Sequence, residues 1–227
     1  AVKAAVVALT EALNTGDSDL KFCSASALVE IFVKASGNFD GIGDDVKEAA
    51  VLALTEALTP ADSDGNWFAA WALGKILGKA SGSFDGIGAA VKAAVVALTE
   101  ALNAAGSNPN LKRSAAKALG EILGKASASL DVIGGDVQQA LVALTEALST
   151  GDVGSAAKAL GEILGKDSGK DSGNLDGIGD DVKEAAVLAL TEALTPADSD
   201  GNSFAGWALG EILGKASGNL DGIGDDV

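Results

Sequence analysis

The chain has 227 residues, with 16 basic and 32 acidic side chains, and it has one cysteine and no histidine. Without histidine there can be no Ser-His-Asp triad and no imidazole metal ligand, and one cysteine excludes an intrachain disulfide and a thiolate zinc cluster. We therefore expect a non-enzymatic protein without a bound cofactor. The net charge of −16 argues against nucleic acid, which attracts clustered Lys and Arg. Apolar runs of about six residues are too short for membrane insertion.

Two short motifs repeat along the whole chain. Thr-Glu-Ala-Leu starts at Thr10, Thr55, Thr99, Thr145 and Thr191, and Ala-Leu-Gly-x-Ile-Leu starts at Ala72, Ala118, Ala159 and Ala208, with a degenerate copy at Ala27. The spacing predicts five units of about 45 residues, at about 1–44, 45–89, 90–135, 136–180 and 181–227. Residues 45–88 and 181–224 differ at five of 44 positions, and residues 1–14 recur unchanged as 90–103. Recent duplication and deliberate design both fit such similarity.

Each unit begins with a predicted helix A, which covers about 46–58 in unit two. Val51, Leu54 and Leu58 lie at i, i+3 and i+7 and so share one helical face. Asp45 and Glu48 fit an N-cap and its partner three residues on, and unit five repeats that pair. A Thr-Pro dipeptide then ends the helix, because the residue before proline avoids the helical region.

A predicted helix B follows, over about 66–77 in unit two, with a broad apolar stripe. In unit three, Asn108 and Pro109 match an N-cap followed by proline at the first helical position. Glycines expected to end helix B are Gly78, Gly124, Gly165 and Gly214, and glycines inside it are Gly74, Gly120, Gly161 and Gly210. An internal glycine costs about 0.5–1 kcal/mol against alanine, so we expect close helix–helix approach in return. Phe84 and Ile87 are expected to pin the connector to the core.

One helix pair cannot bury its own apolar faces, whereas five stacked pairs bury a continuous core, so the pattern predicts an all-α solenoid. The segments Val137 to Leu148 and Ala156 to Ile163 resemble HEAT repeats, nearest to the HEAT-like repeat of phycobilisome lyases. The resemblance covers all five units and implies an interaction scaffold or, in a minority of members, help in attaching bilins to proteins. The units here are longer, and the family's basic residue early in helix B occurs only at Lys21 and Lys112-Arg113.

The outer face of helix B carries the candidate site. The positions two residues before and two residues after its leucine hold mostly lysines and glutamates, which mark a solvated face. Units two and five place a Phe–Trp pair there instead, and exposed aromatic pairs are plausible anchors for a protein partner. The candidate contact residues are Phe68, Trp71, Lys75, Phe204, Trp207 and Glu211. The alternative is that the Asp-rich loop between the helices folds over the rings and makes them core.

Other motifs carry weaker chemistry. Asp62 to Asn66 and Asp198 to Asn202 resemble half of a calcium loop, but position 12 falls on Leu73, and turn chemistry explains the same residues. The Asp-Gly-Ile-Gly segments lack the strand and lysine of a phosphate loop. Cys23 could carry an adduct, although an incidental small residue is the simpler interpretation. We therefore predict no catalytic, cofactor or metal residue.

Residue 1 starts in phase with helix A, and Asp226-Val227 begins another helix A. We expect the array to continue in a longer chain, with end-to-end self-association as the alternative. The preferred functional interpretation is a non-enzymatic scaffold that binds protein partners and docks on a larger complex. A bilin-lyase-like accessory protein and a filament-forming structural protein are the two alternatives.

Overall fold

The fold was taken from a computed structural model, which describes residues 2–34, 42–58, 66–79, 84, 86–105, 108–124, 135–149, 153–165, 178–194 and 199–216. These residues form α1 (Val2–Thr15), α2 (Ser18–Val29), α3 (Asp44–Glu56), α4 (Trp67–Leu77), α5 (Gly88–Ala104), α6 (Pro109–Leu123), α7 (Gly135–Ser149), α8 (Val153–Leu164), α9 (Asp180–Glu192) and α10 (Ser199–Ala216). A π-helical turn, Glu30–Lys34, continues α2. Within the described ranges no strand occurs, as the repeat pattern predicts.

The helices stack in two layers. Each odd-numbered helix packs against the even-numbered helix that follows it, and against the odd-numbered helices of the neighbouring units. The even-numbered helices form the second layer in the same way, α2 on α4, α4 on α6, α6 on α8 and α8 on α10. The predicted all-α solenoid of helix pairs is therefore confirmed. We call the odd-numbered helices the A layer and the even-numbered helices the B layer.

The core lies between the layers and is built almost wholly from Ala, Leu, Val and Ile. Its largest fully buried side chains include Leu54, Leu73 and Leu119. Phe84 and Ile87, from the connector before α5, are 3% and 2% exposed. These two side chains are therefore part of the core, as the sequence indicates. No described helix is both long and apolar enough to cross a membrane.

The capping of the A-layer helices differs from the prediction. Gly43, not Asp45, is the N-cap of α3, and it makes no side-chain cap hydrogen bond. Asp44 and Asp45 lie inside the first turn, where a carboxylate interacts favourably with the helix dipole. Asp45 is also ion-paired with Lys3 of unit one, which lowers the pKa of its carboxyl group. The acidic residue therefore links two units instead of closing its own helix.

The helix ends of the B layer follow the glycines with two exceptions. Gly78 and Gly124 are the C-caps of α4 and α6, as predicted. Helix α10 instead continues through Gly214 to Ala216. Unit one has no glycine at the equivalent position, where Val33 stands, and its helix runs on as the π-helical turn. The predicted cap at Asn108 is confirmed, because its side chain accepts a hydrogen bond from the Leu111 N–H at 3.1 Å.

Candidate functional site

The Phe–Trp pair of unit two lies differently from the prediction. Phe68 is only 2% exposed, so placing it on an open surface was wrong. Phe22 of unit one packs edge-on against Phe68, with ring centroids 6.3 Å apart, and Trp67 lies beside both rings. Trp71 is half-buried against the core. Phe68 is thus covered by an aromatic neighbour from the preceding unit, a partner that the sequence comparison within one helix could not show.

The pair of unit five remains open. Phe204 and Trp207 are 43% and 42% exposed. Ser203 stands where unit two has Trp67, and Gly154 stands where unit one has Phe22, so the aromatic cover is missing. The same Phe–Trp pair is therefore covered in one unit and accessible in the other because of two neighbouring residues.

The aromatic rings of unit five lie against glycines of α8. A Cβ on Gly154 would stand 3.3 Å from Phe204 Cδ2, and a Cβ on Gly161 would stand 2.7 Å from Trp207 Cζ3. Gly161 therefore makes room for the indole ring, which lies across the B layer. This contact fixes Trp207 as the end wall of a groove.

Glycine also sets the spacing of the B layer from α4 to α10. Added Cβ atoms on Gly74, Gly120 and Gly161 would lie 2.8, 2.9 and 3.0 Å from the Cα atoms of Ala118, Ala159 and Ala208. Real Cβ atoms essentially never come within 3.0 Å of another heavy atom, so the predicted close approach of the helices is confirmed.

A groove of about 380 Å³ follows the outer face of this layer from α4 to α10. Gly78, Gly120, Gly124, Gly161 and Gly165 contribute to its floor, Glu121, Glu162 and Glu211 border it once per unit, and Lys75, Lys79 and Trp207 complete the lining. Lys75 Nζ donates to Glu121 Oε1 at 2.7 Å, which ties units two and three together across the groove. The groove is thus lined by glycines and edged with carboxylates.

Three of the six predicted contact residues, Lys75, Trp207 and Glu211, line this groove. Sequence reasoning placed Glu121 and Glu162 on a solvated face without making them site residues. Their signal was the same as that of Glu211, since all three stand two residues after the leucine of helix B. The glycine floor was missed because those glycines were interpreted only as helix ends and contact points.

The described residues give no further support to the calcium-loop hypothesis or to the hypothesis of an adduct on Cys23. Asp62 to Gly65 and Asp198 lie outside the described residues, and Asp200 falls in the first turns of α10. Among the side chains that the structure describes, no three carboxylates or thiols gather as a metal site would require. Cys23 is exposed, as expected.

The stacked pairs and the continuous groove define the chain as an all-α solenoid of helical repeats. Three engineered proteins, whose crystal structures come from the Northeast Structural Genomics Consortium, are similar to it. They match with TM-scores of 0.61, 0.57 and 0.56 at 25%, 23% and 26% identity, each over 92% of this chain. The matches cover 47%, 97% and 98% of those chains. No protein-family model and no curated protein matches this chain. The helical repeat fold is therefore supported, and the HEAT assignment stays a prediction.

Proposed function

We propose that the chain is a binding scaffold whose B-layer groove holds an extended, basic segment of a partner protein. The observation that carries this proposal is the groove of about 380 Å³ with one glutamate per unit on its border and Trp207 at its end. The glycines that line the groove give the space of a side chain to the next B-layer helix, so the glutamates and Trp207 are the groups that a partner would contact.

The dimensions favour a peptide in extended conformation. Helices that pack side by side are about 8–10 Å apart, so the three steps from α4 to α10 span about 27 Å. An extended chain rises about 3.3 Å per residue, which gives about eight residues in the groove. Two or three residues of the partner then pass each B-layer helix, and one basic side chain per step can reach Glu121, Glu162 or Glu211.

The side chains that line the groove determine which side chains of a partner can bind there. Arg and Lys form charge-assisted hydrogen bonds with carboxylates, and a cation over the face of an indole gains further attraction. Glu162 is about a third exposed and is paired with Lys158 at 3.8 Å along the same helix. Lys75 and Lys79 make the other end of the groove less acidic, so we expect the basic residues of the partner to cluster towards Trp207.

The test uses a fluorescein-labelled peptide of about eight residues that alternates lysine with serine. Fluorescence anisotropy should show binding that Glu162→Gln weakens about fivefold to tenfold, which corresponds to about 1–1.4 kcal/mol. Glu146→Gln is the matched control. Glu146 is exposed on the A-layer helix of the same unit, and its substitution removes the same charge. An equal effect of both variants would mean general attraction to an acidic protein and would refute the groove.

The wider roles remain predictions. Docking on a larger assembly remains a prediction until a partner protein is identified. Bilin attachment has no supporting contact among the described residues. Co-expression with a bilin source followed by absorbance measurement tests the latter directly.

A further inference from the structure

The two outer faces of the array expose apolar residues whose counterparts inside the array are buried. On α1, Val2 is 52% exposed, whereas Val91, the same residue in the identical sequence of α5, is fully buried. Leu20 is 49% exposed, and Leu111 at the equivalent place in unit three is 7% exposed. Unit one therefore presents the apolar face that unit three packs against unit two.

Unit five presents the opposite face. Leu194 is 42% exposed, whereas its counterpart Leu58 in unit two is 4% exposed. A Cβ on Gly210 would meet nothing within 4 Å, whereas a Cβ on the equivalent Gly74 would collide with Ala118 of unit three. Unit five thus carries the apolar patch and the glycine notch that unit two uses to receive unit three.

The A-layer halves of these two faces are complementary because their sequences already form an interface inside the molecule. Helices α3 and α9 have the same sequence, and residues 1–14 have the sequence of 90–103 in α5. The internal contact of α3 with α5 would therefore recur between α9 of one molecule and α1 of another. In the B layer, Ala27 is the residue that corresponds to Ala118 and would meet Gly210.

We propose that this chain associates head to tail with a second copy of itself, through a junction whose A-layer half repeats its own contact between units two and three. Such a contact is heterologous, so it leaves one free face at each end and allows further copies to add. The inference is independent of the groove, since it is carried by the outer faces of units one and five. It predicts a groove that continues from one copy to the next.

This junction differs from the internal interface at several positions, and one of these differences reverses a charge. Lys75 bridges to Glu121 in the internal interface, but Glu211 stands at the position of Lys75, and Glu30 at that of Glu121. Two carboxylates therefore face each other at the junction, so association should strengthen as added salt screens them. Glu211→Lys should strengthen it about twofold to fivefold by restoring the opposite charges.

Sedimentation velocity from about 1 µM to about 500 µM tests the proposal. Leu194→Asp should weaken association at least about tenfold, whereas Leu188→Asp should not, because Leu188 is 60% exposed and its counterpart Leu52 stays 40% exposed within the array. Gly210→Ala should also block association, since its methyl group would fill the notch. Circular dichroism of each variant confirms that it remains folded.

The mixing experiment separates a head-to-tail junction from any other dimer. Val2→Asp blocks the face of unit one, and Leu194→Asp blocks the face of unit five, so each variant alone should be monomeric. Their mixture should form one-to-one dimers and nothing longer. The proposal is overturned if the wild type stays monomeric at the highest concentration, if either blocked variant self-associates as strongly as the wild type, or if the mixture stays monomeric.

Discussion

The sharpest test of the packing of the B layer replaces glycine by alanine at two equivalent positions. Gly120 lies inside α6 and faces Ala159 of α8, whereas Gly210 lies inside α10 and faces nothing within 4 Å. Both substitutions gain the same helix propensity, about 0.5–1 kcal/mol. Any difference between the two variants therefore comes from packing.

The size of that difference follows from the contact distances. An alanine Cβ at Gly120 would lie 2.9 Å from the Ala159 Cα atom, while carbon atoms in contact prefer about 3.5–4.0 Å. The two helices would have to separate by about 0.5–1 Å, a gap that forfeits about a quarter to a half of the dispersion energy at the contact. Overpacking of this kind costs about 1–3 kcal/mol.

We expect Gly210→Ala to stabilise the chain by about 0.5–1 kcal/mol. We expect the free energy of unfolding of Gly120→Ala to be about 1–3 kcal/mol lower than that of Gly210→Ala. Urea unfolding followed by circular dichroism measures both, at about 1 µM so that self-association does not contribute. If Gly120→Ala stabilises the chain as much as Gly210→Ala does, the helices are not held at glycine distance and the account of the B layer fails.

Three further predictions use positions elsewhere. Phe68→Ala should destabilise the chain by about 3–5 kcal/mol and Phe204→Ala by about 1 kcal/mol, in thermal or urea unfolding, because only the former ring is buried; equal losses would contradict the open pair. Asn108→Ala should cost about 1 kcal/mol in the same assay by removing an N-cap, and Asn108→Asp should retain the stability. The lowered folded-state pKa of Asp45 stabilises the fold above its unfolded-state pKa, and this stabilisation is lost as the pH falls through the folded-state pKa. Lys3→Ala should raise that pKa, read by NMR titration, and an unchanged value would contradict the ion pair.

The fold could be predicted well because its sequence signals are local and are repeated in five units. Apolar residues at helical spacing, the Asn108-Pro109 start and the C-cap glycines each act within one helix or one turn. Because these signals repeat about every 45 residues, the helix pairs can bury their apolar faces by stacking on one another. The close approach at Gly74 was also predictable, since an internal glycine weakens a helix unless a neighbour needs the space.

The candidate site was predicted less well because exposure depends on the next unit. Phe68 and Phe204 stand in segments that differ at few positions, yet one is 2% and the other 43% exposed. Phe22, from the preceding unit, covers the first ring, and Gly154 leaves the second uncovered. A helix-by-helix alignment identifies which side chains point outwards, but it does not show which residue of the neighbouring helix lies over them.

The same dependence on neighbours explains how a uniform array can have distinct functional regions. Val2 and Val91 have identical flanking sequences and opposite environments, so position in the stack, and not sequence, decides which surface is available. In the middle of the array the B layer is open only as a groove, where glutamate and glycine recur at each step. At the two outer faces the surfaces that hold units together are open, and there the interaction that builds the molecule becomes available to a second copy.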